Sequence, residues 1–256
     1  MKIQQIRNAT VIVEFANTRF LVDPVLSPKG TYPGFEGTAN SHLFWPTVEL
    51  PISVEQILDV DAIIVTHTHL DHWDDGAKSL IPKNMPIFVQ HEEDAEIVKA
   101  SGFSDVRLLT EDSSFNGLTL IKTPGQHGSD EAIHAIGDLL GQVSGVVFKH
   151  PSEKTLYLAG DTVWNKYVES CVETYQPDAI ILNSGDAQVP GLGSIIMGKE
   201  DVYKVHQAAP HATLIATHME AVNHALLTRK ELREFSAEKG MVNYLLVPED
   251  GEVCVL

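Results

Sequence analysis

Cysteine is scarce: Cys171 and Cys254 are the only two among 256 residues. They form no C-x-x-C pair, so a disulfide framework is excluded and a reducing compartment fits. Long hydrophobic runs are also missing. No stretch approaches about 18 consecutive apolar residues, and the segment after Met1 holds no continuous apolar core, so neither a spanning helix nor a signal peptide is expected. The expected location is cytoplasmic, which leaves the Asn8-Ala9-Thr10 sequon idle. Basic residues are few, 18 Lys and Arg against 35 Asp and Glu, for a formal charge of −17. Such a field repels phosphate backbones and anionic headgroups, so neither nucleic acid nor a membrane surface is an expected partner. The chain lacks a G-x-S-x-G nucleophile elbow and a three-glycine dinucleotide fingerprint. Gly193-Ser-Ile-Ile-Met-Gly198-Lys199 nearly spells a phosphate loop, but Glu200 stands where a hydroxyl is needed.

What remains is a globular composition, 43% hydrophobic and 21% charged, with no repeat, low-complexity segment or charge block that marks a linker. Residues 1–256 are therefore expected to form a single domain. Short β-branched runs predict strands at Thr10–Glu14, Arg19–Val22, Ala62–Thr66, Ile87–Gln90, Thr119–Lys122, Ser144–Phe148, Thr155–Ala159, Ala179–Leu182, Thr213–Ala216 and Val242–Val247. Helical spacing predicts Glu92–Ser101, Lys166–Tyr175, Lys199–Ala208 and Arg229–Lys239. The class is α/β, with two halves that each open on hairpin-like strands. Two long loops stand out, 24–53 and 183–198. Both are rich in glycine and proline, and the first is too aromatic for disorder.

The informative segment is Thr66-His67-Thr-His69-Leu-Asp71-His72-Trp73-Asp74. Chance placement of H-x-H-x-D-H at this chain's residue frequencies occurs about once in a thousand sequences of this length. The i, i+2 spacing lets His67 and His69 project the same way if extended geometry persists beyond the strand. Imidazole nitrogen and carboxylate oxygen suit a borderline-soft divalent metal, and this cluster can supply two adjacent ones. Three further strands end in metal-type side chains: His127 follows Thr119–Lys122, Asp161 follows Thr155–Ala159, and His218 follows Thr213–Ala216. Ligand sites in α/β sheets gather outside the carboxyl ends of strands, so these residues are expected to converge.

These segments resemble the metallo-β-lactamase superfamily of binuclear metal hydrolases. Within it they are most similar to the branch containing ascorbate-6-phosphate lactonase, through Asp23-Pro-Val-Leu-Ser27 and the His67–Asp74 segment. The resemblance implies a four-layer αβ/βα sandwich with the site at one edge of two facing sheets. It also implies His67, His69 and His127 on one metal, Asp71, His72 and His218 on a second, and Asp161 bridging both. Asp71 and Asp161 are then the catalytic carboxylates, and a metal-bridging hydroxide attacks a small ester, lactone or phosphoester. Zinc is the expected metal, with manganese or iron compatible. Asp23 resembles the carboxylate partner that a metal-ligating histidine requires. His224, six residues beyond His218, and His134, seven beyond His127, are candidates for contacts to ligands or substrate. Two alternatives share the fold: a non-haem iron redox protein, and a phosphodiesterase or nuclease. The subunit number is left open, a homo-oligomer included.

Overall fold

The computed structural model describes residues 1–256. The first sheet takes its strands mainly from the first half: β1 (Lys2–Arg7), β2 (Thr10–Phe15), β3 (Thr18–Val22), β4 (Ala62–Val65), β5 (Ile87–Val89) and β6 (Val106–Leu108). The second takes β7 (Ser113–Phe115), β8 (Leu118–Pro124), β9 (Ser144–Lys149), β10 (Leu156–Leu158), β11 (Ala179–Asn183), β14 (Thr213–Thr217) and β15 (Leu245–Leu246). A small ribbon, β12 (Gln188–Val189) with β13 (Gly193–Ser194), interrupts the second half, and β16 (Val253–Val255) returns to the edge of the first sheet beside β1.

The two halves repeat one plan. In spatial order β16-β1-β2-β3-β4-β5-β6, the first sheet has three antiparallel pairings and then three parallel ones. The second, read β7-β8-β9-β10-β11-β14-β15, does the same. Hairpins need only tight turns, whereas the parallel strands require crossovers, and the helices fill those.

Period-2 alternation sorts each strand's residues between two faces. Phe15, Phe20, Val22 and Ile64 point inward and meet Leu120, Val146, Phe148 and Ile181 of the opposite sheet. Phe20 and Phe148 pack edge to face with centroids 5.5 Å apart, a contact worth about 0.5–1.5 kcal/mol beyond its area. Leu21, Ile63 and Ile87 point outward and bury against α1 (Val54–Ile57), α2 (Asp75–Leu80) and α3 (Glu92–Ala100). Val147, Tyr157, Ile180 and Leu214 do likewise against α5 (Lys166–Tyr175), α6 (Lys199–Ala208) and α7 (Arg229–Glu238). The result is the αβ/βα layering that the family resemblance implied. The remaining helix, α4 (Asp130–Leu140), leaves the stack and packs Ala132 and Leu140 on Ala187, Ile195 and Ile196. No helix is long and apolar enough to cross a membrane.

The loop 24–53 is held by buried polar groups. Arg7, fully buried, donates to the carbonyls of Val25, Ser27 and Val48 at 2.8–2.9 Å. Asp74 accepts from the amides of Leu26 and Ser27 while capping α2 through the amide of Ala77. Within the loop Tyr32, Trp45 and Phe35 form a stack, with centroids 4.7 and 5.1 Å apart.

Candidate metal centre

Five strand ends deliver the site. β3 leads into Asp23, β4 into His67–His72, β8 into His127, β10 into Asp161 and β14 into His218. Because β8 runs antiparallel to β9, and β9 antiparallel to β10, all five point the same way and their ends meet at one edge of the sandwich. Gly160 makes the turn before Asp161: it sits at φ 70°, and a Cβ there would lie 2.4 Å from the Ser144 carbonyl. Asp23 and His218 adopt positive φ, 47° and 58°. Such strain costs on the order of 1–3 kcal/mol for a non-glycine residue and concentrates at functional sites.

The structure brings all seven expected ligands together. Three groups have their donor atoms within 4.8 Å of one another: His67, His69 and His127; His67, His72 and Asp161; and Asp71, His72 and His218. Asp161 Oδ2 lies between them, 3.1 Å from His72 Nε2, 3.6 Å from His127 Nε2, 3.7 Å from His218 Nε2 and 3.8 Å from His67 Nε2. Asp71 Oδ2 lies 3.4 Å from His218 Nε2. All are buried except His69, which is partly exposed toward the cavity.

The outer nitrogens of four rings are occupied, which aims their other nitrogens inward. His72 Nδ1–H donates to Asp23 Oδ2 at 2.8 Å, His127 Nδ1–H to the Ile195 carbonyl at 2.9 Å, and His69 Nε2–H to the Leu139 carbonyl at 3.2 Å. The Thr66 hydroxyl donates to Asp23 Oδ2 at 2.8 Å and so accepts from His67 Nδ1–H at 3.1 Å. Such outer contacts fix the tautomer and orientation of a metal-binding imidazole. Asp23 thus occupies the place expected of it, while Asn183 Nδ2 donates to Asp161 Oδ1 at 2.5 Å.

Burial and mutual charge set the protonation of the cluster. Burial, aided by His72, pushes His67 well below its ordinary pKa, and burial takes His127 to about 4. Burial also opposes charge on His72, yet Asp161, Asp23 and Asp71 outweigh it and hold that ring protonated. Against the same burial, His72 and His218 keep Asp71 ionised, and His72 and His218 do so for Asp161. Convergent imidazoles with ionised carboxylates between them are the donor set a pair of borderline divalent cations takes once the rings are deprotonated, so the residues fit such a group.

A cavity of about 440 Å³ opens onto this cluster. His69, Asp71, His127, Asp161 and His218 form its floor. Phe35, Leu70, Ile136, Leu139, Leu140, Val189 and Ile195 supply apolar walls, with Glu36 and His224 beside them. No lysine or arginine lines it. Both long loops contribute, through Phe35–Thr38 and through Ala187–Ile195.

His224 is buried in that lining. His134 is not: it stands on the exposed side of α4 and contributes nothing to the cavity, because the helix turns its Ala132 and Leu140 inward instead. The sequence reading also missed Thr66, Asn183 and Asn8. Asn8, at φ 56°, donates from Nδ2 to the Asp71 carbonyl at 2.7 Å and accepts the His218 amide at 2.9 Å, so it ties two of the gathered segments together. Thr10 donates to the Asp23 carbonyl at 2.7 Å. The apparent sequon is thus a buried turn that braces the site, and its only sequence signal was asparagine's tolerance of left-handed backbone.

Facing mixed sheets with histidines and aspartates gathered at one end define the metallo-β-lactamase fold. The beta-lactamase superfamily domain model matches residues 18–219, and the chain belongs to that superfamily. Within it the chain belongs to the UPF0173 family: it is 57% identical over 253 residues to UPF0173 protein YddR of Bacillus subtilis (strain 168), covering 98% of each chain. A UPF0173 metal-dependent hydrolase of Pyrococcus abyssi is 26% identical over 200 residues, 78% of this chain and 84% of that one. Among solved structures, an isothiocyanate hydrolase from Delia radicum gut bacteria superposes with a TM-score of 0.97 at 48% identity, covering 100% of this chain and 99% of that chain.

Proposed function

We propose that this chain is a metal-dependent hydrolase with a binuclear centre, acting on a small uncharged electrophile with an apolar tail, of which an isothiocyanate is the best-fitting class. The observation that carries the reading is the cavity: apolar walls without a lysine or arginine, opening onto the cluster. A sugar phosphate, as the lactonase-like similarity implies, would carry a phosphate remote from the reacting bond into walls with no lysine or arginine to replace its hydration. The 48% identical structural relative described as an isothiocyanate hydrolase supports the same choice.

His67, His69 and His127 hold one cation in this reading, Asp71, His72 and His218 the other, and Asp161 faces both. The grouping of donors favours two: separate His/Asp groups gather on either side of Asp161, and a pair of divalent cations there suits an anionic transition state. The imidazole-rich set suits zinc, with manganese and iron compatible. When bound, such a pair supplies nucleophilic water at neutral pH and polarises the substrate's electrophilic centre.

The remaining work belongs to the protein. Asp71, ionised and on the cavity floor, orients the attacking water by accepting a hydrogen bond from it. Phe35, Ile136, Leu139 and Ile195 exclude bulk water and hold the tail, so that the electrophilic carbon rests over the floor. A cytoplasmic small-molecule enzyme fits the acidic surface.

The test is a substrate panel on zinc-reconstituted protein: phenethyl isothiocyanate, a neutral lactone, an aryl ester and an aryl phosphodiester, with amine and carbonyl sulfide measured for the first. Turnover of the isothiocyanate above all others is expected. Hydrolysis of the phosphodiester with no neutral substrate turned over would overturn the reading.

A further inference from the structure

α4 carries Ile136, Leu139 and Leu140 into the cavity wall, yet its own packing is slight. Its buried apolar side chains, Ala132 and Leu140, rest on a small cluster with Ala187, Ile195 and Ile196; its helical path breaks at Ile136, and Leu139 is 76% exposed. Elements with so few buried apolar contacts open at low cost in free energy. Two hydrogen bonds anchor the end that follows the break. His69 Nε2–H donates to the Leu139 carbonyl at 3.2 Å, and Gln90 Nε2 donates to the Gln142 carbonyl at 2.7 Å. Gly141 turns the chain between these two carbonyls at φ 63°, a conformation open to glycine.

Gln90 and Asp94 build the second anchor, and both are 4% exposed. Gln90 directs its side-chain amide hydrogens to two acceptors, the Gln142 carbonyl and Asp94 Oδ2, the latter at 2.9 Å. Its backbone carbonyl accepts from Lys122 Nζ at 2.7 Å. The other oxygen of Asp94 accepts from the Thr68 hydroxyl at 2.7 Å, and Thr68 stands between His67 and His69. A carboxylate in the first turn of a helix is favoured by the helix dipole, and Glu92 and Glu93 meet that need from the surface of α3. Burying Asp94 adds a cost that only its hydrogen-bond partners offset. Those partners lead to the turn that carries the metal-type histidines and, through Gln90, to the end of α4.

We infer that Gln90 and Asp94 are positioning residues that lock the end of α4 to the His67–His69 turn, so that loading of the metal centre and closure of the cavity wall are linked. The inference rests on the metal reading of the cluster and is independent of which electrophile the cavity takes. His69 Nδ1 faces His67 Nε2 at 3.1 Å, so Nδ1 is the nitrogen offered to a cation. With a cation on Nδ1 the ring is more strongly polarised, and Nε2–H becomes a stronger donor to the Leu139 carbonyl. Attachment of α4 and occupation of the site then favour each other, and linkage makes the factor equal in both directions. Gln90 and Asp94 make that coupling effective by keeping the Leu139 carbonyl within reach of His69. Without them the end of α4 leaves the ring whether or not a cation is bound.

The test is amide hydrogen exchange on the full chain with and without zinc, read over residues 136–141 and, as an internal reference, over 66–74, with zinc content measured on the same samples. In the parent, zinc should slow exchange in both segments, by about fivefold at 136–141. Gln90→Met fills similar space without the two donors. It should keep the zinc-dependent slowing at 66–74 and reduce that at 136–141 to under about twofold, with the parent's zinc content at saturating metal. Asp94→Asn keeps the shape but loses one of its two bonds, because an amide nitrogen accepts nothing; an intermediate slowing at 136–141 is expected. As the milder change, it decides the role of the network if Gln90→Met does not fold. Zinc uptake with unchanged exchange at 136–141 would overturn the inference, and so would slowing there as large in the variants as in the parent. A parent that takes up no zinc would overturn the metal reading and this inference with it.

Discussion

His72 and His127 lie within 3.1 and 3.6 Å of the same carboxylate oxygen of Asp161, yet their surroundings drive them apart. His127 gives its outer nitrogen to a neutral carbonyl, and burial takes its pKa to about 4. His72 is just as deep but faces three carboxylates, and these raise its pKa well above the ordinary value against the cost of burial. At neutral pH without metal, His127 and His67 therefore present lone pairs, whereas His72 carries a proton. A cation entering beside Asp71, His72 and His218 has to displace that proton; one entering beside His67, His69 and His127 meets two rings that are already free. Since ligands bind metals only when deprotonated, affinity at the His72 position should rise about tenfold per pH unit, up to the raised pKa of that ring. Zinc titration calorimetry in two buffers of different ionisation enthalpy counts the protons directly. The expected result is two binding events, with about one more proton released in the event that loads the His72 position. Equal counts for both events would remove His72 from this account.

At the scale of elements, each functional side chain sits just beyond a strand, and the turn that carries it is built by residues that are not ligands. Gly185 follows β11 so closely against the turn after β14 that a Cβ would lie 2.0 Å from the His218 carbonyl. Gly185→Ala should force that turn outward, cost about 1–3 kcal/mol as other overpacked sites do, and lower metal content toward one ion per chain by displacing His218. Metal analysis with a thermal melt checks both effects; two retained ions at the parent's melting temperature would show that the turn yields freely. This division of labour explains what was legible in the sequence. The strands ending in His67, His127, Asp161 and His218 were visible because parallel or central strands are continuous β-branched runs, and the ligands follow them directly. β1 escaped notice because buried Gln5 and Arg7 break its alternation, with a register shift between them. α4 escaped because its pattern is interrupted at Ile136, which is non-helical at φ −138°. The run Val242–Val247 suggested a strand, but Met241 accepts the amides of Tyr244 and Leu245 in a turn, and only Leu245–Leu246 pair. Asn8 and Asn183 act through hydrogen bonds across long sequence separations, for which a sequence carries no local pattern. His134 misled because spacing along the chain does not say which side of a helix faces the cavity.

Over the whole molecule, the site is a seam. The loops of the first sheet supply His67, His69, Asp71 and His72, those of the second supply His127, Asp161 and His218, and Asp161 Oδ2 reaches rings from both. The apolar layer between the sheets holds the halves together along their length, but at the catalytic edge it gives way to buried carboxylates and imidazoles. In the proposed reading, cations would offset the like charge there, in a chain already carrying −17. Cations that bind the folded chain and not the unfolded one stabilise it by about 2.7 kcal/mol per site at a concentration 100-fold above Kd. For a chain of this size each kcal/mol moves the melting temperature by roughly 2–4 °C. Exhaustive chelation should therefore lower it by about 5–10 °C for each ion lost, and zinc should restore it. Asp161→Asn, which weakens the group facing both positions, should melt close to the chelated parent and respond to zinc by a much smaller shift. A parent whose melting temperature is indifferent to chelation, with zinc shown to have left, would mean that the two halves close without cations and that the cluster serves chemistry alone.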